Sequence, residues 1–270
     1  MKARVIAYVI LGVYALISLY PFAWMVSGAF KDSTEVLQGG NLIPQRPTLR
    51  TFATTWGELD FVQYFGNSLV ITLATVAGVL VVYSLASYAF AVLDFPGRRI
   101  LYAGFIALLF VPGITVLLPV VLLQQELDIL GTRLGIVLPF VNGTAPLAIL
   151  LLTSSFRAVP AELRESARCD GASEIRTFLS IHLPVCRPAL IAIALLTAVP
   201  TWNEYALTRV SLNDPELYTL PLGLQSLTST TSPQYNVIMA ASLIMVCPVV
   251  VLFVLLQRYF VNGLTGAVKG

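Results

Sequence analysis

The stretch from Arg157 to Arg187 reads RAVPAELRESARCDGASEIRTFLSIHLPVCR. It holds nine charged residues in 31 positions, within a 270-residue chain whose charged fraction is only 11%. Pro160 suits the first position of a helix, where its missing N–H costs nothing. Glu162 and Glu165 sit near the positive end of the helix dipole. Gly171 suits the left-handed residue that closes a helix. The spacing therefore predicts a helix from Pro160 to Asp170, with Leu163 and Ala167 on one face. A second short helix is expected over 172–181, with Ile175, Phe178 and Leu179 on a shared apolar face. Pro184 ends it and Pro188 restarts the chain. The result is a charged helix-turn-helix knob with an apolar stripe, a surface that a soluble protein partner would grip.

Outward from this knob the chain is apolar. Hydrophobic residues make up 57% of it and the mean hydropathy is +0.83. A soluble domain is roughly a quarter charged, so this composition excludes a soluble enzyme, a disordered tail and a secreted disulfide scaffold. A bilayer core of about 30 Å needs about 20 apolar helical residues. Six stretches qualify: Val5 to Phe30, Asn67 to Leu93, Ile100 to Gln124, Leu134 to Ser155, Ala189 to Leu207 and Val237 to Gln257. The fold class expected is all-α, a polytopic membrane protein in which residues 1–270 form one transmembrane domain with the loop 157–187 on the cytoplasmic side. The first span follows Lys2 and Arg4 but is too long for a signal h-region, and is read as a retained helix.

Lys and Arg in the loops set the orientation. With the N-terminus inside, eleven basic residues face the cytoplasm and five face out, so both termini are expected in the cytoplasm. The outer stretch from Lys31 to Phe65 carries Phe52, Trp56, Phe61, Tyr64 and Phe65, an aromatic set suited to the membrane surface. A net charge of +2 without a clustered basic face excludes nucleic acid. Three cysteines (Cys169, Cys186, Cys247) and one histidine (His182) offer neither a disulfide framework nor a metal site. His182 reads as a surface or interface residue, and Cys169 and Cys186 as thiols on the reducing side.

A solute path needs polar groups at membrane depth. Glu204 is the one carboxylate inside the six stretches, and an ionisable residue there is functional or paired. Trp202, Asn203 and Tyr205 adjoin it, and Asn142 lies in the fourth span. Aromatic faces with amide and carboxylate groups suit a sugar, which offers C–H faces and hydroxyls. The residues leave open whether Glu204 lines the path or only bonds a neighbouring helix. Asn142, Gly143, Thr144 and Pro146 interrupt the fourth span, with Pro139 a turn earlier; Pro112 and Pro119 mark the third, Pro200 the fifth and Pro248 the sixth. Each is a gating kink or an ordinary one. Small residues of the second span, Gly78 among them, favour close helix packing.

Glu165-Ser166-Ala167, three residues, Gly171, nine residues, then Ile181-x-Leu183-Pro184 resembles the EAA loop of binding-protein-dependent ABC importer permeases. Six of its seven fixed positions match, with Ser166 in place of the middle alanine. Asn67-Ser68, Trp202-Asn203-Glu204-Tyr205, and the tail Gln257-Arg258-Tyr259-Phe260-Val261 with Gly263-Leu264-Thr265-Gly266-Ala267-Val268-Lys269-Gly270 resemble the carbohydrate branch, specifically the smaller, maltose-type permease subunit. The resemblance implies a type I ABC importer permease in a bacterial cytoplasmic membrane. It implies pairing with a second homologous permease, two ATPase subunits beneath, and an extracytoplasmic sugar-binding protein. It places ATPase docking on Glu162, Leu163, Glu165, Ser166, Ala167, Asp170, Gly171 and Phe178. No Gly-x-x-x-x-Gly-Lys-Ser/Thr cradle is present, so ATP and Mg belong to the partner ATPase and this chain binds no cofactor.

The solute expected is a di- or oligosaccharide. A polyol or glycerol phosphate would use the same machinery, but a phosphate wants Arg or Lys in the path and no span has a central one. A stand-alone secondary transporter predicts an inverted repeat or a row of intramembrane carboxylates, and neither is found. An intramembrane enzyme would need a nucleophile, acid–base or metal constellation, which one loop histidine does not supply.

Overall fold

The computed structural model describes residues 2–58, 60–228 and 234–267, and every regular element there is helical. Among the described residues, four helices are long and apolar enough to cross a membrane, or up to six if each of two bent pairs counts as one span. Contacts divide the chain into two units: the first is Met1–Phe65 with Thr219–Val250, and the second is Gly66–Tyr218 with Val251–Gly270.

The first unit opens with α1 (Lys2–Ala29), whose residues 4–23 are all exposed. A helix apolar on every side satisfies its own backbone and meets lipid or another chain. Two short helices follow, α2 (Ser33–Gln38) and α3 (Arg50–Glu58). Asp32 caps α2 by accepting from the Glu35 N–H at 2.8 Å. The expected aromatic set clusters only in part: Phe52 stacks on Phe30 and Trp56 on Phe61, while Phe61 and Tyr64 are buried.

The second unit is built on α4 (Phe61–Val92), which starts six residues before the expected span. Gly78 lets it approach its neighbour: a Cβ there would lie 2.9 Å from Val141 Cγ2. The third expected span is not straight. Helix α5 (Arg98–Ala107) and α6 (Leu117–Glu126), each extended by a tight 3₁₀ turn, meet at a 98° bend. The bend falls at Val111-Pro112, both extended, because proline cannot donate and pushes its predecessor out of helical geometry.

The fourth span, by contrast, is not interrupted. Helix α7 (Arg133–Arg157) runs through Pro139 and Pro146. Pro139 frees the Gly135 carbonyl, and Gln124 Nε2 on α6 donates to it at 2.7 Å. Gln124 is itself 2% exposed, and its Oε1 accepts from Ser211 Oγ at 2.8 Å. Ala145, Ala148, Ile149, Leu152 and Phe156 line one face of α7 and share a core with Val79, Tyr83, Tyr88 and Phe90 of α4.

After α7 come α8 (Ala161–Cys169), α9 (Glu174–Thr177), a π turn over Phe178–His182 and α10 (Leu183–Val185). Then α11 (Arg187–Trp202) bends 78° from the segment before it. The fifth span was expected to reach Leu207; the chain instead breaks at 203–205 and resumes in α12 (Ala206–Ser211). The chain returns to the first unit with α13 (Leu220–Thr228) and with α14 (Tyr235–Ala267) as far as Val250; α14 begins two residues before the expected sixth span. Of the tail singled out above, Val268, Lys269 and Gly270 lie outside the described residues.

Candidate docking segment and solute cleft

Helix α8 is punctuated nearly as its sequence predicts. Pro160 takes the cap rather than the first helical position, because its ψ of 133° is extended. Glu162 occupies the first turn and Arg168 the last, each matching the dipole. Gly171 has φ +76°, the left-handed conformation that glycine adopts without strain. Its N–H donates to Arg168 O and the next, of Ala172, to Ala167 O, the paired bonds of a Schellman closure. No side chain of α8 is buried. Glu162, Leu163, Glu165, Ser166, Asp170 and Gly171 are exposed and Ala167 is half-buried.

The second helix departs from expectation. Ser173 caps α9 by accepting from Arg176 N–H, but α-helical geometry lasts one turn before the π turn. The wider turn rotates the side chains that follow, so the expected apolar face splits. Ile175 and Leu179 are 68% and 54% exposed, whereas Phe178 is 4% exposed. Phe178 thus packs in the core against Tyr88 and Phe156 and does not join the exposed side chains of α8. His182 is corrected in the same way: it is 3% exposed, edge-on to Tyr88 at 4.8 Å. Burial holds its imidazole below the usual 6.5.

Sequence reading missed the polar contact beneath α8. The Tyr88 hydroxyl donates to Glu174 Oε2 at 2.7 Å, and Arg164 Nη2 donates to Glu174 Oε1 at 2.8 Å. The Arg164 bond, then the Tyr88 bond, holds the Glu174 carboxyl below its ordinary 4.5. A tyrosine near the inner end of a span and a glutamate in the loop were the available signals. A second missed cluster fixes the start of the second expected span. Asn67 Nδ2 donates to Glu216 O and Tyr218 O, and Arg133 Nη2 donates to Asn67 Oδ1 at 2.8 Å.

Glu204 stands at the break between α11 and α12. Its Oε1 accepts from Leu207 N–H at 2.5 Å, capping α12. It also borders a cleft of about 520 Å³ between the third, fourth and fifth spans, with Leu117, Phe140, Thr144, Thr197 and Pro200 on the walls. The walls are mostly apolar and hold no Lys or Arg. Trp202, Asn203, Tyr205 and Asn142 do not line it. Trp202 is buried, and Asn203 Nδ2 turns back to Val199 O at 2.8 Å. Tyr205 is exposed, and Asn142 accepts from the Tyr83 hydroxyl at 3.3 Å. Of the five expected path residues, the cleft therefore gathers only Glu204.

Residues 84–265 match the family described as "Binding-protein-dependent transport system inner membrane component". The chain is 33% identical to the arabinooligosaccharides transport system permease protein AraQ of Halalkalibacterium halodurans, over 95% of this chain and 93% of that one. It is 31% identical to the galactooligosaccharides transport system permease protein GanQ of Bacillus subtilis, over 98% and 95%. Its fold is similar to a chain of a bacterial ABC transporter involved in alginate import, with TM-score 0.85, 24% identity and 96% of each chain covered. A multi-pass all-α chain of type I importer architecture, aligned along nearly its whole length with permease relatives, belongs to the binding-protein-dependent transport system inner membrane components: it is a permease component of an ABC importer.

Proposed function

We propose that this chain forms one half of the translocation path for a neutral di- or oligosaccharide. In this reading residues 1–270 act as one transmembrane domain, with both termini cytoplasmic, beside a second homologous permease of the maltose-type pairing. Two ATPase subunits sit beneath and an extracytoplasmic sugar-binding protein delivers the solute. The observation that carries the sugar reading is end-to-end similarity to permeases named for arabinooligosaccharides and galactooligosaccharides. The cleft supports it, since Glu204 and two threonines on apolar walls suit hydroxyls and C–H faces and offer a phosphate no cation. The missing cation also weighs against the glycerol phosphate alternative.

The exposed side chains of α8, Glu162, Leu163, Glu165, Ser166, Asp170 and Gly171 with Ala167 at their edge, supply the ATPase contact. A lever needs a stiff, closed helix, and the Gly171 closure provides it. Phe178 supports that helix from the core, and Trp202 and Asn142 shape the path from behind its lining.

Reconstitution tests the reading. The chain is assembled with its partner permease, ATPases and binding protein in proteoliposomes and offered labelled arabino- and galacto-oligosaccharides, a polyol and glycerol phosphate. Uptake of an oligosaccharide that requires both ATP and the binding protein is expected. Uptake of glycerol phosphate alone, or uptake without ATP, would overturn it.

A further inference from the structure

Helix α8 has no buried side chain, so apolar packing fixes it weakly. Among the described residues, the ion pairs that leave α8 converge on one carboxylate, that of Glu174, and Arg164 also lies against the Tyr88 hydroxyl. Arg164 Nη2 lies 2.8 Å from Glu174 Oε1, and Arg168 Nε lies 4.0 Å from the same oxygen. The other oxygen, Oε2, accepts from the Tyr88 hydroxyl of α4 at 2.7 Å. One carboxylate thus ties α8 to α4, a different oxygen serving each.

The α4 end of this tie cannot yield locally. Tyr88 is 5% exposed, with ring centroids 5.1 Å from Phe178 and 6.3 Å from Phe156. A phenol packed between rings moves with its helix, and bonds to a charged carboxylate are short and directional. We propose that Glu174 is the joint through which a displacement of α8 is passed to membrane helix α4, with Tyr88 and Arg164 as its positioning partners. The proposal rests on the reading of α8 as the ATPase dock.

A bond that only stabilises the loop lowers uptake and ATP hydrolysis together. A joint lowers uptake for each ATP hydrolysed, and that ratio separates the two. The test uses the full reconstituted complex and the labelled oligosaccharide selected in the uptake screen, with Tyr88→Phe, Glu174→Gln and the double variant. Both single changes keep side-chain volume. The ATPase is expected to stay on the purified complex while uptake per ATP falls about tenfold in each single variant. The double variant is expected to be no worse than either, because the two bonds act in series. A ratio within about twofold of wild type in both single variants would overturn the proposal. So would loss of the ATPase from both, since that makes the cluster a folding element only. Glu165→Lys on the exposed face tests the dock separately: retained ATPase and normal uptake there refute the docking reading, not the joint.

Discussion

The Glu204 carboxylate has two demands on it, the Leu207 N–H that it caps and the open cleft beside it. Substitutions separate them. Glu204→Ala removes the acceptor and is expected to lower stability by about 1 kcal/mol, seen as a reduced thermal midpoint of the purified complex. Glu204→Gln keeps an acceptor and leaves the midpoint unchanged. If the charge meets solute hydroxyls, Gln raises KM for sugar uptake by about tenfold, and identical KM in Gln and wild type would leave capping as its whole role. Glu204 was legible in the sequence because a lone carboxylate inside an apolar stretch has few places to go. Trp202, Asn203 and Tyr205 were not separable from it, because consecutive residues at a helix break point in different directions. The break itself carried no glycine, and Pro200 precedes it by a turn, so local propensity gave little sign of it.

At the scale of elements, the proposed docking segment is pinned by groups that titrate. Glu174 is held below 4.5 chiefly by Arg164 and then by Tyr88, so its contribution is complete above 4.5 and is lost as pH falls through the depressed value. Burial holds His182 below 6.5, so its neutral form supports the segment above 6.5 and protonation in acid opposes burial. Both act in one direction. Hydrogen exchange across 161–185, corrected for its intrinsic pH dependence, is expected to be constant above pH 6.5 and to quicken in acid. His182→Phe should remove the earlier part of that rise, and a profile that stays constant below 4.5 would contradict the assignment. The helix α8 was readable from its punctuation, since a Glu-rich first turn and a closing glycine are local signals. The π turn was not. It depends on Phe178 and His182 finding Tyr88, a residue about ninety positions away in sequence, and no local pattern encodes that meeting.

At the scale of the molecule, composition fixed the membrane class, and hydropathy placed six apolar stretches, four of which are single long helices among the described residues. It could not distinguish a straight third span from one folded by 98° at Pro112, because hydropathy sums the same apolar residues in either shape. The sidedness proposed above has a direct test in Cys169, which is exposed. In a background with Cys186 and Cys247 changed to Ser, a membrane-impermeant maleimide should label Asn41→Cys on intact cells and Cys169 only in inside-out vesicles. Labelling of Cys169 on intact cells would invert the topology.

Gln124 fills the carbonyl that Pro139 leaves empty, and this binds the histories of two positions far apart in the chain. While proline stands at 139, an apolar residue at 124 strands a polar group in a dry interior. Once 139 carries an ordinary residue, the helix satisfies Gly135 from within and position 124 gains freedom to drift. Lineages should therefore lose the proline first and the glutamine afterwards, an order of permissive steps that either residue viewed alone would conceal.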